Sequence, residues 1–174
     1  MTSGRPDFEV PPRTRPTSGG DGNGFESSPQ NANADDALNA VDTNSGTGSS
    51  MSFASNLKDK HRFYNYGLTF PAGVRVRGIE VRLDAKVDNR SGSPKMCVQL
   101  SWDGGITWTS TKSTPKLGTS MATFRLGCPT DTWGRSWTTS NFTDANFRVR
   151  VINVSSSNAR DFSLDRVAVN VHYQ

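Results

Sequence analysis

Residues 98–108 read V-Q-L-S-W-D-G-G-I-T-W and decide the fold. Apolar residues at every second position from Val98 to Trp102 alternate with polar ones, which is the period of a strand with one buried face. Asp103-Gly104-Gly105 follows, where an aspartate can bond nearby backbone and two glycines accept positive φ, so the chain turns there. Residues 106–110 are then predicted to return as the partner strand of a β-hairpin.

Within this stretch, residues 101–108 read S-W-D-G-G-I-T-W and resemble the Asp box, S-x-D-x-G-x-T-W, which recurs on hairpins of sialidases and other secreted β proteins. The resemblance implies a fold-stabilising hairpin without a catalytic role, carried by Ser101, Asp103, Gly105, Thr107 and Trp108. A ligand-binding role for Asp103 is the alternative, although backbone geometry alone explains aspartate and glycine at a turn. One box in 174 residues leaves no room for a sialidase propeller.

Short extended segments separated by turns continue through the rest of the chain after residue 50. The predicted strands are residues 52–54, 61–68, 79–87, 95–102, 108–112, 122–126, 147–154 and 163–173. This spacing is typical of an all-β sandwich or barrel. The apolar alternation in residues 74–83 changes parity at Gly78, so a bulge is predicted at that glycine.

Three runs join the hairpin in a wider resemblance: G-I-E-V-R-L-D-A at residues 78–85, N-F-R-V-R-V at 146–151 and F-S-L-D-R-V-A-V-N-V-H-Y at 162–173. Together they look like galactose-binding-like jelly-roll modules, which are non-catalytic appendages on bacterial and phage surface proteins. The resemblance covers about residues 50–174. It implies an all-β fold, a single jelly-roll-type antiparallel β-sandwich, and leaves the ligand open.

Composition divides the chain into three parts. Residues 1–24 are an extended arm rich in proline and glycine, residues 25–50 a polar loop or edge segment, and residues 51–174 the β-sandwich domain. Residues 1–50 hold three basic and seven acidic side chains, a net charge of −4, whereas residues 51–174 hold 17 basic and nine acidic ones, a net charge of +8. The acidic part can be steered onto the basic body of a neighbouring copy; a solubilising tail is the alternative.

The arm contains one short apolar run, Phe8-Glu9-Val10, followed by Pro11 and Pro12. A short strand and a polyproline segment of this kind can lie on a neighbouring molecule. The sequence therefore predicts an assembly arm that clasps neighbouring subunits, made of Phe8, Val10, Pro11, Pro12, Arg13 and Arg15.

Basic residues occupy the polar side of several predicted strands. They are predicted to form one basic sheet surface made of Arg82, Lys86, Arg148, Arg150, Arg166, Asn170 and His172. This surface either binds an anionic partner or is a solvated outer face whose arginine stems cover apolar surface. No recognised motif accompanies the charge to indicate nucleic-acid binding.

Four aromatic residues are candidates for stacking on sugar rings. Trp133 and Trp137 flank Arg135 on one predicted loop. Tyr64 and Tyr66 share one face of a predicted strand. The alternative for the two tryptophans is that they pin their loop to the sandwich.

No constellation for catalysis is recognised, so no enzyme activity and no cofactor are predicted. No metal site is nominated, because Asp131, Asp144 and Asp161 are too scattered for calcium. Cys97 and Cys128 either form a disulfide or stay as buried free thiols. Neither a run of 18 apolar residues nor an apolar signal segment after the first methionine is present, so no membrane insertion is predicted.

Two classes of function remain. The first is a structural protein of a virion or surface filament, such as a decoration or tail component, whose partners are itself and neighbouring subunits. A lone module without a catalytic partner and without a secretion signal favours this hypothesis. The second is a carbohydrate-binding or adhesion module that contacts surface glycans at a cell surface or outside the cell, which the jelly-roll resemblance and the loop tryptophans favour.

Overall fold

The fold is a two-layered β-sandwich in a computed structural model that describes residues 13–16 and 24–174. Its strands are β1 (Arg13–Pro16), β2 (Ala40–Asp42), β3 (Lys60–Tyr64), β4 (Val76–Val87), β5 (Lys95–Ser101), β6 (Lys112–Ser113), β7 (Ala122–Gly127), β8 (Arg148–Val154) and β9 (Phe162–Tyr173). Two short 3₁₀ helices span Pro29–Ala32 and Thr139–Phe142. One sheet has five strands in the order β1-β3-β8-β5-β6, and the other has four in the order β2-β9-β4-β7. The predicted all-β antiparallel sandwich is confirmed.

The core lies between the sheets and follows from alternation along the strands. In β5, Met96, Val98 and Leu100 point inward and are fully buried. In β9, Val167 and Val169 do the same from the opposite sheet. Burying each such side chain contributes about 1.5–3 kcal/mol relative to exposure, so the alternating pattern fixes which face of each strand is turned inward.

Residues 24–58 are attached to the body by buried polar contacts. Asn153 Nδ2 on β8 donates to Asp42 Oδ2 on β2 over 2.6 Å. The fully buried Lys58 donates through Nζ to the carbonyl oxygens of Gly48 and, over 2.5 Å, Ser155. Burial, with Asp59 nearby, raises the pKa of Asp42 well above its usual range. Backbone pairing and these contacts make this segment an integral part of the sandwich.

The predicted bulge at Gly78 is confirmed, since the register between β4 and β9 shifts between Val76 and Gly78. A Cβ at Gly78 would lie 2.5 Å from the carbonyl carbon and oxygen of Pro129, so only glycine fits against this neighbouring backbone. The glycine therefore allows both the bulge and the close approach of the loop after β7.

Two strand predictions are corrected. Residues 52–54 lie in a turn closed by a hydrogen bond from Ser55 N to the carbonyl of Ser52, and Phe53 is exposed there. Residues 108–111 are not a strand; the segment returning along β5 pairs as a ladder only at Lys112–Ser113. Ala40–Asp42 lies in the segment predicted as loop or edge, and it pairs with β9 as an edge strand.

The arm residues Arg13 and Arg15 lie on β1, which pairs with β3 of the same chain. The register sets Arg13 against Tyr64 and Arg15 against Arg62. This part of the predicted arm is thus an edge strand of the sandwich, and its backbone hydrogen bonds need no neighbouring subunit. Phe8, Val10, Pro11 and Pro12 lie outside the described residues, so a clasp made by them stays a prediction.

The two cysteines are both free thiols. Cys97 is buried on β5 and Cys128 is exposed, which corrects the disulfide alternative and also the alternative of two buried thiols. Within the described residues, no helix has the length and apolar character needed to cross a membrane.

Candidate functional site

The predicted tryptophan platform is part of the core. Trp133 and Trp137 are only 2% and 6% exposed. Each indole Nε1 donates to a backbone carbonyl, from Trp133 to Ile79 over 2.9 Å and from Trp137 to Thr132 over 2.8 Å. Their burial supports the alternative given by the sequence, in which the rings pin their loop to the sandwich instead of stacking on a sugar.

The tyrosine pair is also corrected. Tyr64 ends β3, and Asn65 then adopts a left-handed conformation with φ 63°, which breaks the strand alternation. Tyr66 consequently turns into the core, where its ring lies edge-on to Phe147 with centroids 5.6 Å apart. Tyr64 alone remains part-exposed, so the two rings do not share a face.

The predicted single basic surface is divided between two opposite faces of the sandwich. Its members on β8 belong to the five-stranded sheet, whereas those on β4 and β9 belong to the four-stranded sheet. On the latter, Asp35 contacts both Arg82, over 2.8 Å, and Arg166, over 3.2 Å. Sequence reasoning could not separate the two groups, because strand order in a sandwich is not written in the alternation pattern.

The outer face of the five-stranded sheet brings basic and aromatic side chains together. The register aligns Tyr64 with Arg148 and Arg62 with Arg150 across β3 and β8, and Gln99 of β5 lies on the other side of Arg150. Their neighbours along each strand point into the core. We call this surface the basic face, and define it as Lys60, Arg62, Tyr64, Gln99, Trp108, Arg148 and Arg150.

The centre of the basic face is an assembly of three side chains. Arg150 donates through Nε to Gln99 Oε1 over 3.1 Å and also through Nη2 to the same oxygen. The indole of Trp108 covers the guanidinium, with Cζ of Arg150 3.9 Å from the ring centroid. Gln99 Nε2 in turn donates to the carbonyl of Thr109 over 3.2 Å. These contacts fix a cation, an amide and a part-exposed aromatic ring in one arrangement.

The segment after the turn positions Trp108. Thr109 N donates to the carbonyl of Leu100 over 2.9 Å, and Leu100 N donates to Thr109 Oγ1 over 3.0 Å. This pair of hydrogen bonds holds the segment beside β5 without a continuous ladder. Trp108, predicted as a structural hairpin residue, is placed over the basic face as a result.

The turn itself is organised by Asp103. Its Oδ1 accepts hydrogen bonds from Ser101 Oγ over 2.8 Å, Ile106 N over 3.1 Å and Thr107 N over 2.9 Å. Slight burial raises the pKa of Asp103, but the bonds from Thr107, Ser101 and Ile106 outweigh it and lower that pKa to about 2. Residues 102–107 form a series of bends and not the tight hairpin turn predicted, and the Asp103 carboxylate satisfies several of their donors.

Gly105 brings the turn onto the basic face. Its φ is 96°, and a Cβ built there would lie 2.9 Å from Arg62 Nη1 and 3.3 Å from Trp108 Cζ2. The turn therefore lies close to the guanidinium of Arg62, with no space for a side chain between them. Any side chain at this position would displace that cation or the indole beside it.

The cations of the basic face act on one another. Burial, then the nearby charge of Arg62, lowers the pKa of Arg150 to about 10. Burial, then the charge of Arg150, lowers the pKa of Lys60. Burial and a neighbouring cation therefore both disfavour the charged form at Arg150 and at Lys60.

Arg148 has a structural role at one end of the face. It donates to the carbonyls of Asp144, Ala145 and Phe147 over 2.7–2.9 Å. Its Cζ lies 5.0 Å from the centroid of the Tyr64 ring. Arg148 thereby caps the loop before β8 and supports Tyr64.

Sequence reasoning therefore missed Arg62, Gln99 and the role of Trp108. The alternation in residues 98–102 does place Gln99 on the polar side of its strand, and that signal was available. Its adjacency to Arg150 depends on β5 pairing with β8, about fifty residues away in sequence. Among the described residues, no group of three or more histidine, cysteine, aspartate or glutamate side chains could hold a metal ion.

No protein-family model matches the chain, and no curated protein matches it. Solved structures that resemble it include one titled "CBM4 structure and function", at 15% identity and a TM-score of 0.44, covering 79% of this chain and 72% of that one. Another is the CBM32 of AlyQ in complex with 4,5-unsaturated mannuronic acid, at 14% identity and a TM-score of 0.44, covering 94% and 98%.

A third is the CBM22-1 and GH10 modules of the Clostridium thermocellum xylanase Xyn10B complexed with xylohexaose. It has 12% identity and a TM-score of 0.44, and the match covers 94% of this chain and 27% of that one. At such identities the similarity concerns the β-sandwich and identifies no ligand for this chain.

Proposed function

We propose that the chain is a non-catalytic glycan-binding module whose ligand lies on the basic face. The observation that carries the proposal is the arrangement of Arg150. Its half-buried guanidinium stacks on Trp108, bonds to the neutral amide of Gln99, and contacts no carboxylate among the described residues. A cation partly removed from water and left with a neutral partner is typical of a binding site.

The chemistry of the face suits a sugar. Sugar rings present C–H groups that pack on aromatic rings, and Trp108 and Tyr64 supply part-exposed rings. Hydroxyl groups both donate and accept hydrogen bonds, and the guanidinium groups of the face supply donors. A sheet surface, unlike a closed pocket, accommodates several units of an extended chain.

The alternative of an assembly protein is supported less directly. Its main feature was an arm for neighbouring subunits, and the part of that arm within the described residues pairs with β3 of its own chain.

The test is binding of the full chain to a panel of polysaccharides by affinity gel electrophoresis. Trp108→Ala is expected to weaken retention by the bound glycan about tenfold, because it removes the aromatic surface while leaving the sheets intact. Phe53→Ala is the matched control, since Phe53 is an exposed aromatic residue on a turn and does not belong to the basic face. Equal retention of the two variants would contradict the proposal.

A further inference from the structure

The basic face carries three neighbouring cations on two adjacent strands. Arg62 and Arg150 are directly opposite each other, and Lys60 lies two residues before Arg62 on the same side of β3. Opposing residues on paired strands have Cβ atoms about 4.5–5.5 Å apart, so both guanidinium groups can reach one acidic group. The lowered pKa of Arg150, due to burial and to Arg62, agrees with this crowding.

Arg150 also retains hydrogen-bonding capacity. Its Nε and Nη2 are used by Gln99, and Nη1 has no partner among the described residues. Arginine presents its donors as a planar fork that matches carboxylate and sulfate oxygens. The fork on the basic face is therefore only partly used by the protein.

On the four-stranded sheet, by contrast, arginine side chains form ion pairs with carboxylates of the same chain. Arg82 contacts Asp84 over 2.7 Å, and Arg125 contacts Glu80 over 2.7 Å. Gln99 lies directly opposite Arg150 on β5 and carries no charge. An aspartate or glutamate there would complete an ion pair, and its replacement by an amide leaves the cation available to a ligand.

From these contacts we infer that the basic face selects acidic polysaccharides, whose repeating units carry a carboxylate or a sulfate group. Trp108 would pack on the sugar ring while Arg62 and Arg150 together bind its acidic group. This inference rests on the proposed glycan-binding function and adds the charge of the ligand.

The experiment uses ligands that differ only in charge. Polygalacturonate is compared with its methyl ester for the carboxylate, and dextran sulfate with dextran for the sulfate. Polyglutamate serves as an anion without sugar. We expect the full chain to bind at least one acidic glycan about tenfold more tightly than its neutral counterpart and more tightly than polyglutamate, with affinity falling as salt rises from low to high ionic strength.

Variants of the chain identify the groups responsible. Arg150→Gln is expected to reduce affinity for the acidic glycan about tenfold and to weaken binding of the neutral counterpart by a smaller factor, because the neutral glycan loses a hydrogen-bond donor but no charge. Arg150→Lys keeps the charge without the fork and is expected to restore only part of the affinity. Arg125→Gln, on the other sheet, is the matched control and is expected to bind as the unmodified chain does. Circular dichroism confirms that each variant is folded.

The outcomes separate the two proposals. Equal binding of charged and neutral forms, or an unchanged affinity in Arg150→Gln, overturns the acidic selectivity and leaves glycan binding standing. Polyglutamate bound as tightly as the acidic glycans shows that charge alone is recognised and overturns the selectivity for polysaccharides. Absence of binding to every glycan, charged and neutral, overturns both.

Discussion

On the outer face of the four-stranded sheet, arginines are matched with carboxylates, whereas at the centre of the basic face Arg150 is matched with an amide and an indole. Arg82 lies between Asp35 and Asp84, at 2.8 Å and 2.7 Å. Arg150 instead has Gln99 and Trp108. Both positions are strand residues pointing away from the core, so secondary structure does not explain the difference.

Arginines that stabilise a sheet and arginines that bind a ligand differ in the partners that the chain provides for them. On the four-stranded sheet, the chain supplies the opposite charge itself through ion pairs such as Arg82–Asp84 and Arg125–Glu80. Two arginines lie directly opposite each other on both sheets, Arg82 with Arg125 and Arg62 with Arg150, but Arg150 contacts no carboxylate among the described residues. Sites that bind ligands commonly retain such unfavourable arrangements, because the ligand offsets the cost.

The largest expected effect concerns the inner side of β3, behind the basic face. His61 is buried between Phe25 and Phe63, and burial lowers its pKa to about 4 from an ordinary 6.5. The unfolded chain therefore binds a proton at higher pH than the folded chain. The free energy of unfolding falls as the pH drops from about 6.5 to about 4. From pH 8 to pH 4 the free energy of unfolding should lose about 3 kcal/mol through His61.

Urea unfolding at several pH values measures this loss. His61→Asn can keep an acceptor for the N–H of Phe25, which now donates to Nδ1 over 3.2 Å, and cannot be protonated. Its stability should therefore depend less on pH than that of the unmodified chain. His172→Asn, which removes the other histidine of the sequence, is the control and should retain the full dependence. Identical pH profiles for the two variants would contradict the role of His61.

The next prediction tests the ion pairs on the outer face of the four-stranded sheet. Asp84 is buried and contacts Arg82 over 2.7 Å and Thr123 Oγ1 over 2.5 Å. Asp84→Ala should lower the free energy of unfolding by about 2 kcal/mol, because Arg82 and Thr123 both lose a partner. Lys86→Ala on the same strand should change it by less than about 0.5 kcal/mol, as measured by urea unfolding. A loss no larger than that of the control would show that the ion pairs of this face do not stabilise the sheet.

A smaller effect concerns the turn that contacts the basic face. Gly105→Ala should cost about 1–2 kcal/mol, because alanine at φ 96° is strained and its Cβ would meet Arg62 Nη1 at 2.9 Å. Gly104→Ala is a matched control, since Gly104 has φ 77° but its Cβ would meet only the carbonyl of Ala145, at 3.4 Å. A larger cost for Gly105→Ala in thermal unfolding isolates the contact with Arg62, and equal costs would exclude it.

The β-sandwich could be predicted from the alternation of apolar and polar residues along each strand. The candidate site could not be predicted, because it depends on which strands pair with one another. The period of two in β5 and β9 identifies strands and their buried faces, and the change of parity identifies the bulge at Gly78. These are local signals. Residues 25–50 are predicted as loop or edge, but the three residues that pair, Ala40–Asp42, could not be identified, because their partner β9 is more than a hundred residues away.

The same distinction explains the errors at the candidate site. Trp133 and Trp137 on a loop gave no local sign of burial, which depends on the loop folding back over Ile79 and Thr132. Arg150 was recognised as an outward basic residue, but its environment comes from β3, β5 and the segment after the turn. Strand order therefore decides which arginines form ion pairs within the chain and which are available to a ligand.

The smallest effect contrasts the two kinds of arginine directly. Arg150→Met removes a half-buried charge that lies beside the like charge of Arg62, which should stabilise the fold. It also removes the hydrogen bonds to Gln99, which should destabilise the fold by a similar amount. Its free energy of unfolding should change by less than about 1 kcal/mol, whereas Arg82→Met, which leaves Asp84 buried without its ion pair, should lose more. Urea unfolding of both variants at neutral pH measures the difference. Equal losses would mean that Arg150 stabilises the fold as much as Arg82 does, and that the two faces do not differ in the way their arginines are used.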